Sequence, residues 1–537
     1  MSMKRFIPLL LIAAMLLTAC GTENASPTET SPEAVTGSAP ESTVPFESDF
    51  GSETLITLSD EGIDAKGPNS LFVFASNDIV YYEEKTEYES GNPYGEGEES
   101  DMHSADEAAA HTVVNITAPG AYRVTGKLSA GQIRIDLGED AYDDEKAVVE
   151  LILDNADITC TVAPAILFQN VYECDGDWDA DTATSQVDTS AAGANLILEG
   201  ENTVHGSYVA KIFKDKDGEK KLWKQDGAIY SYMSLNVFGP GSLDLTAENE
   251  GLDTELHLTV NGGDITIRSD NDGINTNEDG VSVTTINAGS LHIIAGLGAE
   301  GDGIDSNGYL VINGGHVVSS ANPASDAGLD SDLGSYINGG TVIALGASMD
   351  WAESDSNQVT MNLQYASYQS GDSAIQVTLE DGTEVFAFDP AGDPILAEHL
   401  RQYQGAIISC PEFTQGDSYH VYTGGEQMMY TGTDVIQHFG HAMGSGPAPL
   451  PGTPGPDSGN FGPHPADGVI GDNFPGGKDE PPVYERPVEP EPPAEPMGGN
   501  PGAIAEKPGK IDIPDDGNTL FFMQDKVNFF SGLTPAA

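Results

Sequence analysis

The chain has 537 residues, with 86 Asp and Glu residues against 21 Lys and Arg residues, and therefore a formal net charge of −65. This shortage of cations excludes a nucleic-acid-binding protein that works by neutralising phosphates. Its 4 cysteines are too few for a disulfide scaffold of this size, and its 63 glycines and 33 prolines indicate a chain that is rich in turns or partly disordered. The length allows about three domains.

Residues 1–20 predict a lipoprotein signal peptide. Lys4 and Arg5 precede a short apolar run, and Cys20 follows small residues at the end of that run. An ordinary secretory signal peptide shares the charged start and the apolar core, but it leaves a cysteine at this place unexplained. We therefore expect Cys20 to become the lipidated first residue of a secreted protein, which contacts the outer face of the bacterial cell membrane only through this lipid. Residues 21–50, rich in Ser, Thr and Pro, predict a flexible linker.

The middle of the chain repeats with a period of about 25 residues. An asparagine followed by two small residues recurs at separations of 26, 26 and 25 residues, at Asn261, Asn287, Asn313 and Asn338. Short strands with two-residue alternation of Val and Ile accompany these points, and no helical stretch lies between them. A fixed period in this range is typical of a solenoid.

The pattern predicts an all-β chain, with a right-handed parallel β-helix over residues 51–347 whose most regular coils span 225–347. A β-propeller or a β-sandwich fits less well, because propeller blades need about 40 residues and sandwiches lack such a repeat. A small antiparallel β module over residues 348–440 would cap the last coil. Residues 441–516 are rich in Pro and Gly and predict disorder, whereas the aromatic segment 517–537 predicts strands that dock back on the body.

A second column of the repeat is acidic. In stacked coils its members would lie about 4.8 Å apart, and neighbouring carboxylates would repel by about 3 kcal/mol at an effective dielectric constant of about 20. Such a column favours Ca²⁺, which takes about six to eight oxygen ligands. The alternative is that Asp-Gly and Asn-Gly pairs are ordinary turn residues, and the repeating asparagines are interpreted in this way. The predicted calcium ligands are Glu250, Asp253, Asp272, Asn275, Asp302, Asp305, Asp330 and Asp332.

The scarce cations cluster in one loop, beside one of the 3 tryptophans. Lysines next to an indole could hold the carboxylates of an acidic sugar while the ring stacks on it. The alternative is a solvated hairpin tip whose own Asp and Glu side chains neutralise the lysines. Trp178, in an acidic insertion over residues 173–190, has the same two interpretations. The predicted ligand-binding residues are Lys211, Lys214, Lys216, Lys220, Lys221, Trp223 and Lys224.

Cys160 and Cys174 are close in sequence, in a chain that we expect in an oxidising compartment. They either form a disulfide bond or remain buried thiols. If they are bonded, Cys410 has no partner.

Taken in their order, the motifs resemble a known family. The Asp-Gly-Ile-Asp and Ile-Asn-Gly-Gly repeats, the lead-in at 118–126, the segment 151–158 and the closing segment 407–419 are similar to those of the bacterial carbohydrate-binding-domain-containing lipoproteins, over about residues 108–440. The resemblance implies a pectate-lyase-like parallel β-helix that binds calcium and recognises acidic plant sugars such as polygalacturonate, and cellulose, without clear catalysis. The insertion over 173–190 and the lysine loop depart from the family pattern.

The expected function is therefore non-catalytic binding of a polysaccharide, an acidic one bridged by calcium. A calcium-dependent polysaccharide lyase is an alternative, and it needs a Lys or Arg base near the calcium. Arg268 is the only Lys or Arg between residues 225 and 347, so it would have to face the calcium, or a lysine of the loop would have to fold over the coils. A structural or adhesion protein of the cell envelope is the third interpretation.

Overall fold

The computed structural model describes residues 43–82, 102–175, 178–214, 220–347, 350–435 and 517–536, without the side chains of residues 210–224, 434 and 435. The predicted signal peptide with Cys20, the first part of the linker, Lys216 and the Pro-rich segment lie outside these residues. The described chain is all-β, as the sequence predicts. Its helices are the α-helix Ala105–Ala109 and the 3-10 helices Ser70–Phe72, Glu139–Asp143 and Leu396–His399. Within the described ranges, no helix has the length and apolar character needed to cross a membrane.

Most strands stack in three parallel ladders, which we call A, B and C. The strands of ladder A pair in register from one repeat to the next, and Gly62–Lys66 pairs antiparallel with the first of them. The strands of ladder A are Glu53–Ser59, Gly120–Leu128, Val149–Thr159, Ala194–Glu199, Leu235–Phe238, Leu258–Val260, Val283–Ile286, Tyr309–Ile312 and Gly334–Ile337.

Ladders B and C complete each repeat, since the chain passes from C to A to B and then returns to C. Ladder B begins beside the second half of Val149–Thr159, and Val73–Ser76 pairs antiparallel with the first strand of ladder C. The strands of ladder B are Glu201–Gly206, Ser242–Ala247, Asp264–Ser269, Ser290–Ile294, His316–Ser320 and Thr341–Gly346. The strands of ladder C are Thr112–Ile116, Gly131–Asp136, Ile166–Asn170, Gly227–Ser231, Glu250–Thr254, Ile274–Thr276 and Ile304–Ser306.

The inward side chains of the three ladders share one hydrophobic core. Alternation along a strand sends every second side chain inward. In ladder C, Leu252, Ile274 and Ile304 are in register and fully buried. Burying the apolar surface of each such side chain stabilises the folded state by about 25 cal/mol per Å². The equivalent buried row of ladder B is Leu243, Ile265, Leu291, Val317 and Val342.

The corner between ladders A and B is built from asparagine and glycine. Gly263 has a φ of 97°, a left-handed conformation that L side chains rarely adopt. The asparagine side chains bond to one another: Asn287 Nδ2 donates to Asn261 Oδ1 at 2.9 Å, and the same bond recurs along the row at 2.9–3.0 Å. This row, the asparagine ladder, consists of Asn261, Asn287, Asn313, Asn338 and Asn357. Besides making turns, these residues therefore join successive repeats.

The lysine loop contains a two-stranded antiparallel hairpin. Val209–Lys214 pairs with Lys220–Gln225, which sets Lys211 opposite Trp223 along the backbone. In sequence, the hairpin lies between the ladder B strand Glu201–Gly206 and the ladder C strand Gly227–Ser231. The side chains of the predicted lysine site lie outside the described part of the chain, so the sugar-binding interpretation stays a prediction.

A second β module follows ladder B. Tyr403–Ser409 pairs antiparallel with Thr341–Gly346 and with Thr360–Gln369. Val527–Pro535, from the C-terminal segment, pairs parallel with Thr360–Gln369 and antiparallel with Gly432–Val435. The module encloses a second hydrophobic core. Its further strands are Ile375–Leu379, Glu384–Phe388, Ser418–Thr423, Glu426–Met429 and Phe521–Phe522.

The structure corrects one sequence interpretation and bears on another that the sequence left open. The last residues of the predicted linker, 43–50, are docked on ladder A, where Val44 N donates to Asn261 O at 2.8 Å. Cys160 and Cys174 are free thiols. Cys160 is buried in the main hydrophobic core, and Cys174 is half-buried.

Candidate functional site

The predicted calcium ligands form one continuous acidic column along ladder C. Backbone register sets Asp253, Asn275 and Asp305 side by side on successive strands. Their neighbours in sequence, such as Leu252, point into the core, so alternation sends these polar side chains to the opposite face of the ladder. Asp253 is nevertheless fully buried, and Asn275 is only 7% exposed.

The carboxylates at the start of the ladder C strands lie beside this row. Asp302 N donates to Asp272 Oδ1 at 2.7 Å, and Ala327 N donates to Asp302 Oδ1 at 2.5 Å. Asp272 interacts electrostatically with Glu250, Asp302 and Asp305. Asp330 and Asp332 both act on Asp305 at the far end. The structure thus brings all eight predicted residues into one neighbourhood.

Two further acidic residues belong to the column. Asp226, Glu250 and Asp253 offer ligand oxygens that all lie within 4.8 Å of one another, and all three residues are buried. Asp226 precedes Gly227 just as Glu250 precedes Gly251, so the acidic-residue–glycine pattern could have revealed it. Asp350 Oδ2 accepts from Ser331 N at 3.3 Å and feels the charge of Asp330, but it follows the last repeat at a different spacing and carries no such signal.

Burial and crowding disfavour the charged forms of these carboxyls. Desolvation, followed by the charges of Glu250 and Asp226, raises the pKa of Asp253 well above its usual range. Desolvation and Asp330 raise the pKa of Asp302 to about 7 and the pKa of Asp350 to about 8. The column therefore needs protons or a cation to be stable.

The donor set fits a hard cation. Asp253 Oδ1 accepts from Asn277 Nδ2 at 2.7 Å, but Asp253 Oδ2 and Asn275 Oδ1 are buried with no hydrogen-bond partner among the described residues. Leaving a buried carboxylate oxygen without a partner is costly. Carboxylate and amide oxygens are the ligands that Ca²⁺ prefers, so these two oxygens are suited to metal binding.

A groove of about 750 Å³ runs along the outer face of ladder A. Its floor is a single register row, in which each residue is paired with the next one along the ladder. The asparagine ladder forms one edge of the groove. The floor residues are Glu150, Asn195, Asn236, Thr259, Thr285, Val311 and Tyr336.

Residues 185–192, which begin in the acidic insertion and run just past its end, form one wall of the groove. Thr189 anchors it, since Thr189 Oγ1 donates to Asn236 Oδ1 at 2.7 Å and Asn236 Nδ2 donates to Thr189 O at 2.8 Å. Thr189 is 5% exposed and Asn236 is 1% exposed. This wall is therefore tied to the floor by buried hydrogen bonds. Trp178, at the start of the insertion, donates from Nε1 to Tyr142 Oη at 2.8 Å.

The charged side chains among the described residues that line the groove are all acidic: Glu47, Asp49, Glu150, Asp188 and Asp355. Tyr336 adds an aromatic ring at the last position of the floor row, 6.2 Å from the ring of Tyr309. The site thus combines amides, hydroxyls, an aromatic ring and a negative potential.

Comparisons with known proteins show what the chain is similar to. The family described as "carbohydrate-binding domain-containing protein" matches residues 110–408, more than half of the chain. A carbohydrate-binding domain-containing protein of Acetivibrio thermocellus is 26% identical over 157 residues, which are 29% of this chain and 45% of that protein. The chain thus spans less than half the length of this relative. A solved structure, the polysaccharide lyase-like protein from C. thermocellum, is 18% identical with a TM-score of 0.29, over 54% of this chain and 93% of that one.

Proposed function

Because the chain belongs to the family of carbohydrate-binding domain-containing proteins, we propose that it is a non-catalytic protein that binds a polysaccharide in the groove along ladder A. The observation that carries this proposal is the lining of the groove. Thr285, Asn313 and Asn357 line it together with the ring of Tyr336. Amides and hydroxyls that bond to sugar hydroxyls, next to a ring that covers an apolar sugar face, suit a carbohydrate.

The three ladders are, in this proposal, the faces of a right-handed parallel β-helix, and Cys20 carries the lipid that anchors the protein at the outer face of the membrane. The passage of the chain from C to A to B around one shared core supports the first part. The second part rests on the sequence of residues 1–20. Metabolic labelling with a fatty acid tests it, and we expect the label to be lost in the variant Cys20→Ser.

Ca²⁺ binds along the acidic column in this proposal. Asp226, Glu250, Asp253 and Asn275 would hold it at one end of the column, and the buried oxygens Asp253 Oδ2 and Asn275 Oδ1 support this assignment. The ion would supply positive charge where stacked carboxylates otherwise repel one another. These residues orient their oxygens through the ladder C register and exclude water from the site.

The ligand is proposed to be an acidic polysaccharide such as polygalacturonate, bridged by calcium. The acidic lining of the groove supports bridging, because a polyuronate would be repelled there unless a cation lies between the two. A neutral polymer such as cellulose needs no such bridge. The two ligand classes therefore differ in how their binding should respond to a chelator.

Retention on immobilised polygalacturonate, with cellulose as the second matrix, tests the proposal. We expect retention on polygalacturonate in calcium and release by a chelator. Tyr336→Ala should weaken binding about tenfold, as expected for an aromatic contact. The control Tyr368→Ala, at a tyrosine that is 43% exposed on the second β module, should change it little. Retention that a chelator leaves unchanged would contradict bridging, and no retention on either matrix would contradict the function itself.

Lyase activity would need a base beside the calcium. Arg268 lies on ladder B, where Nη1 contacts Asp244 Oδ1 at 2.6 Å and Nη2 contacts Glu398 Oε2 at 3.4 Å. The acidic column lies on ladder C, so this arginine does not support a catalytic role. Absorbance of an unsaturated uronide product, measured on the same incubations, should stay at baseline, and growth of that signal would make the protein a lyase.

A further inference from the structure

We propose that the end of the ladder A groove at Glu150 and Phe238 is a second carbohydrate subsite. Residues 43–50, here called the strap, cover this subsite and compete with the ligand. The subsite consists of an apolar platform, Ile152, Ile197 and Phe238, flanked by Glu150 and Asn195. This inference rests on the proposed function, and it adds a place where a sugar ring would stack and a segment that must move to admit it.

The platform faces away from the core of the ladders. Ile152 and Ile197 pair in register, and Ile197 pairs with Phe238. Their neighbours Leu151 and Leu196 point into the main core. Ile152 and Ile197 form a separate cluster instead, in which Phe46 and Phe50 of the strap pack on them. Their exposures of 5% and 4% are thus achieved with the help of the strap.

The strap occupies the place that a sugar chain would take. Its Phe46 ring lies 4.8 Å from the ring of Phe238 at an interplanar angle of 45°, within the range of centroid distances at which aromatic rings interact. Ser48 Oγ donates to Glu150 Oε2 at 2.6 Å, and Asp49 N donates to Glu150 Oε1 at 2.9 Å. The strap therefore donates one hydrogen bond to each oxygen of the Glu150 carboxylate. Sugar hydroxyls would donate to the same two oxygens.

The strap is held less firmly than the opposite wall. It contains no strand, and Val44, Pro45, Glu47, Ser48 and Asp49 are exposed. By contrast, the wall over 185–192 is fixed by the buried Thr189. Few buried contacts mean a low cost of local opening. The strap is therefore the side of the groove that can yield to a ligand.

An apolar platform beside a carboxylate and an amide matches the two faces of a pyranose ring. The ring's axial C–H groups would lie on Phe238 and Ile197, while Glu150 and Asn195 would accept and donate hydrogen bonds to its hydroxyls. When only a fraction of the molecules has the strap open, the apparent dissociation constant rises by the reciprocal of that fraction. Loosening the strap should therefore tighten binding.

The test compares full-length wild type with the variant Phe46→Ala/Ser48→Ala, which removes the ring contact and one bond to Glu150. Binding to calcium polygalacturonate and to soluble cello-oligosaccharides is titrated for both. We expect about tenfold tighter binding by the variant if the strap is closed about nine-tenths of the time. Leu55→Ala, which shortens a side chain that is 48% exposed on the first ladder strand, is the matched control and should leave affinity unchanged.

A third variant and an exchange measurement separate competition from a structural role. Adding Phe238→Ala to the loosened strap should abolish the gain in affinity, because the stacking surface is lost. In the wild type, saturating ligand should speed hydrogen exchange of the Val44 and Asp49 amides, which donate to Asn261 O and Glu150 Oε1. Slower exchange with ligand would make the strap a wall of the site and overturn the proposal.

The outcomes also distinguish a failure of the competing strap from a failure of the proposed function. If the wild type binds and the loosened strap binds equally well or more weakly, the competing strap is wrong and the proposed function stands. If neither protein binds any carbohydrate of the panel, both are wrong. Circular dichroism of each variant checks that the folded state is retained.

Discussion

The asparagine ladder and the acidic column are two rows of side chains built by the same repeat, and they solve the problem of stacking in opposite ways. An amide donates and accepts, so Asn287 can donate to Asn261 and accept from Asn313 at 2.9 Å in both bonds. An ionised carboxylate only accepts, so the carboxylates of Asp226, Glu250 and Asp253 cannot satisfy one another. One row is complete in itself, whereas the other calls for a cation or for protons.

Removal of calcium should show the largest difference between the two rows, because only the acidic column needs a cation. A ligand at about a hundredfold excess over its dissociation constant stabilises the folded state by about 2.7 kcal/mol per site, and the column offers more than one group of acidic residues. We expect a large fall in the thermal midpoint when a chelator replaces calcium, measured by scanning calorimetry. Equal midpoints in the two buffers would show that the acidic column does not depend on calcium.

Asp253→Asn should have opposite effects in the two buffers. In chelator it replaces a buried, repelled carboxyl by a neutral amide of the same shape, so the free energy of unfolding should rise by about 1–2 kcal/mol. In calcium it removes a ligand and should cost about 2–3 kcal/mol. Urea denaturation in both buffers measures this. Asp264→Asn, an exposed position on ladder B, should change neither value, and a change of the same sign for Asp253→Asn in both buffers would contradict the assignment.

The stability of the metal-free protein should fall as pH rises. The pKa values of Asp302 and Asp350 are raised to about 7 and about 8 in the folded state, against about 4 when unfolded. The folded state thus binds more protons than the unfolded state between these limits. The resulting contribution to the free energy of unfolding is present at pH 4 and is lost as the pH rises to 8.

Urea midpoints in chelator, taken across that pH window, check this prediction. The variant Asp350→Asn should reduce the dependence of the urea midpoint on pH at the alkaline end of the window. Calcium should weaken or reverse the trend, because it binds the deprotonated carboxylates. A metal-free protein whose stability rises with pH over this range would contradict the raised pKa values.

The smallest effect is expected in the asparagine ladder. Asn287→Ala removes a donor to Asn261 and an acceptor for Asn313 at a half-buried position. The cost should be about 1 kcal/mol, and it should be equal in calcium and in chelator. A cost that depends on calcium would show that the two rows are coupled, and the neutral row would then not be independent.

Much of the fold could be predicted because each repeat is a local pattern. Alternating Val and Ile residues predict strands, and a constant spacing predicts that equal positions stack, so Asp253, Asn275 and Asp305 could be grouped without a structure. Asp226 follows the same rule, since it precedes Gly227, but it is not among the predicted ligands. Asp350 lies beyond the last repeat, where spacing no longer indicates position.

The groove could not be predicted, because its walls come from segments without periodicity. The insertion that carries Thr189 and the end of the presumed linker both fold back on ladder A over long sequence separations. Composition marked residues 43–50 as a flexible spacer, but Phe46 and Phe50 find an apolar platform that exists only once the ladders have formed. Closeness in sequence likewise left the state of Cys160 and Cys174 open, and both are free thiols in the fold.

Sequence by itself determined the all-β character, the repeat and the row of acidic residues, because these follow from short-range alternation and from the fixed spacing between equal positions. Only the tertiary structure decided which face of the ladders is open, which segments cover it and how deeply the carboxylates are buried. These properties depend on contacts between residues far apart in the chain, and such contacts are set by packing rather than by any local pattern.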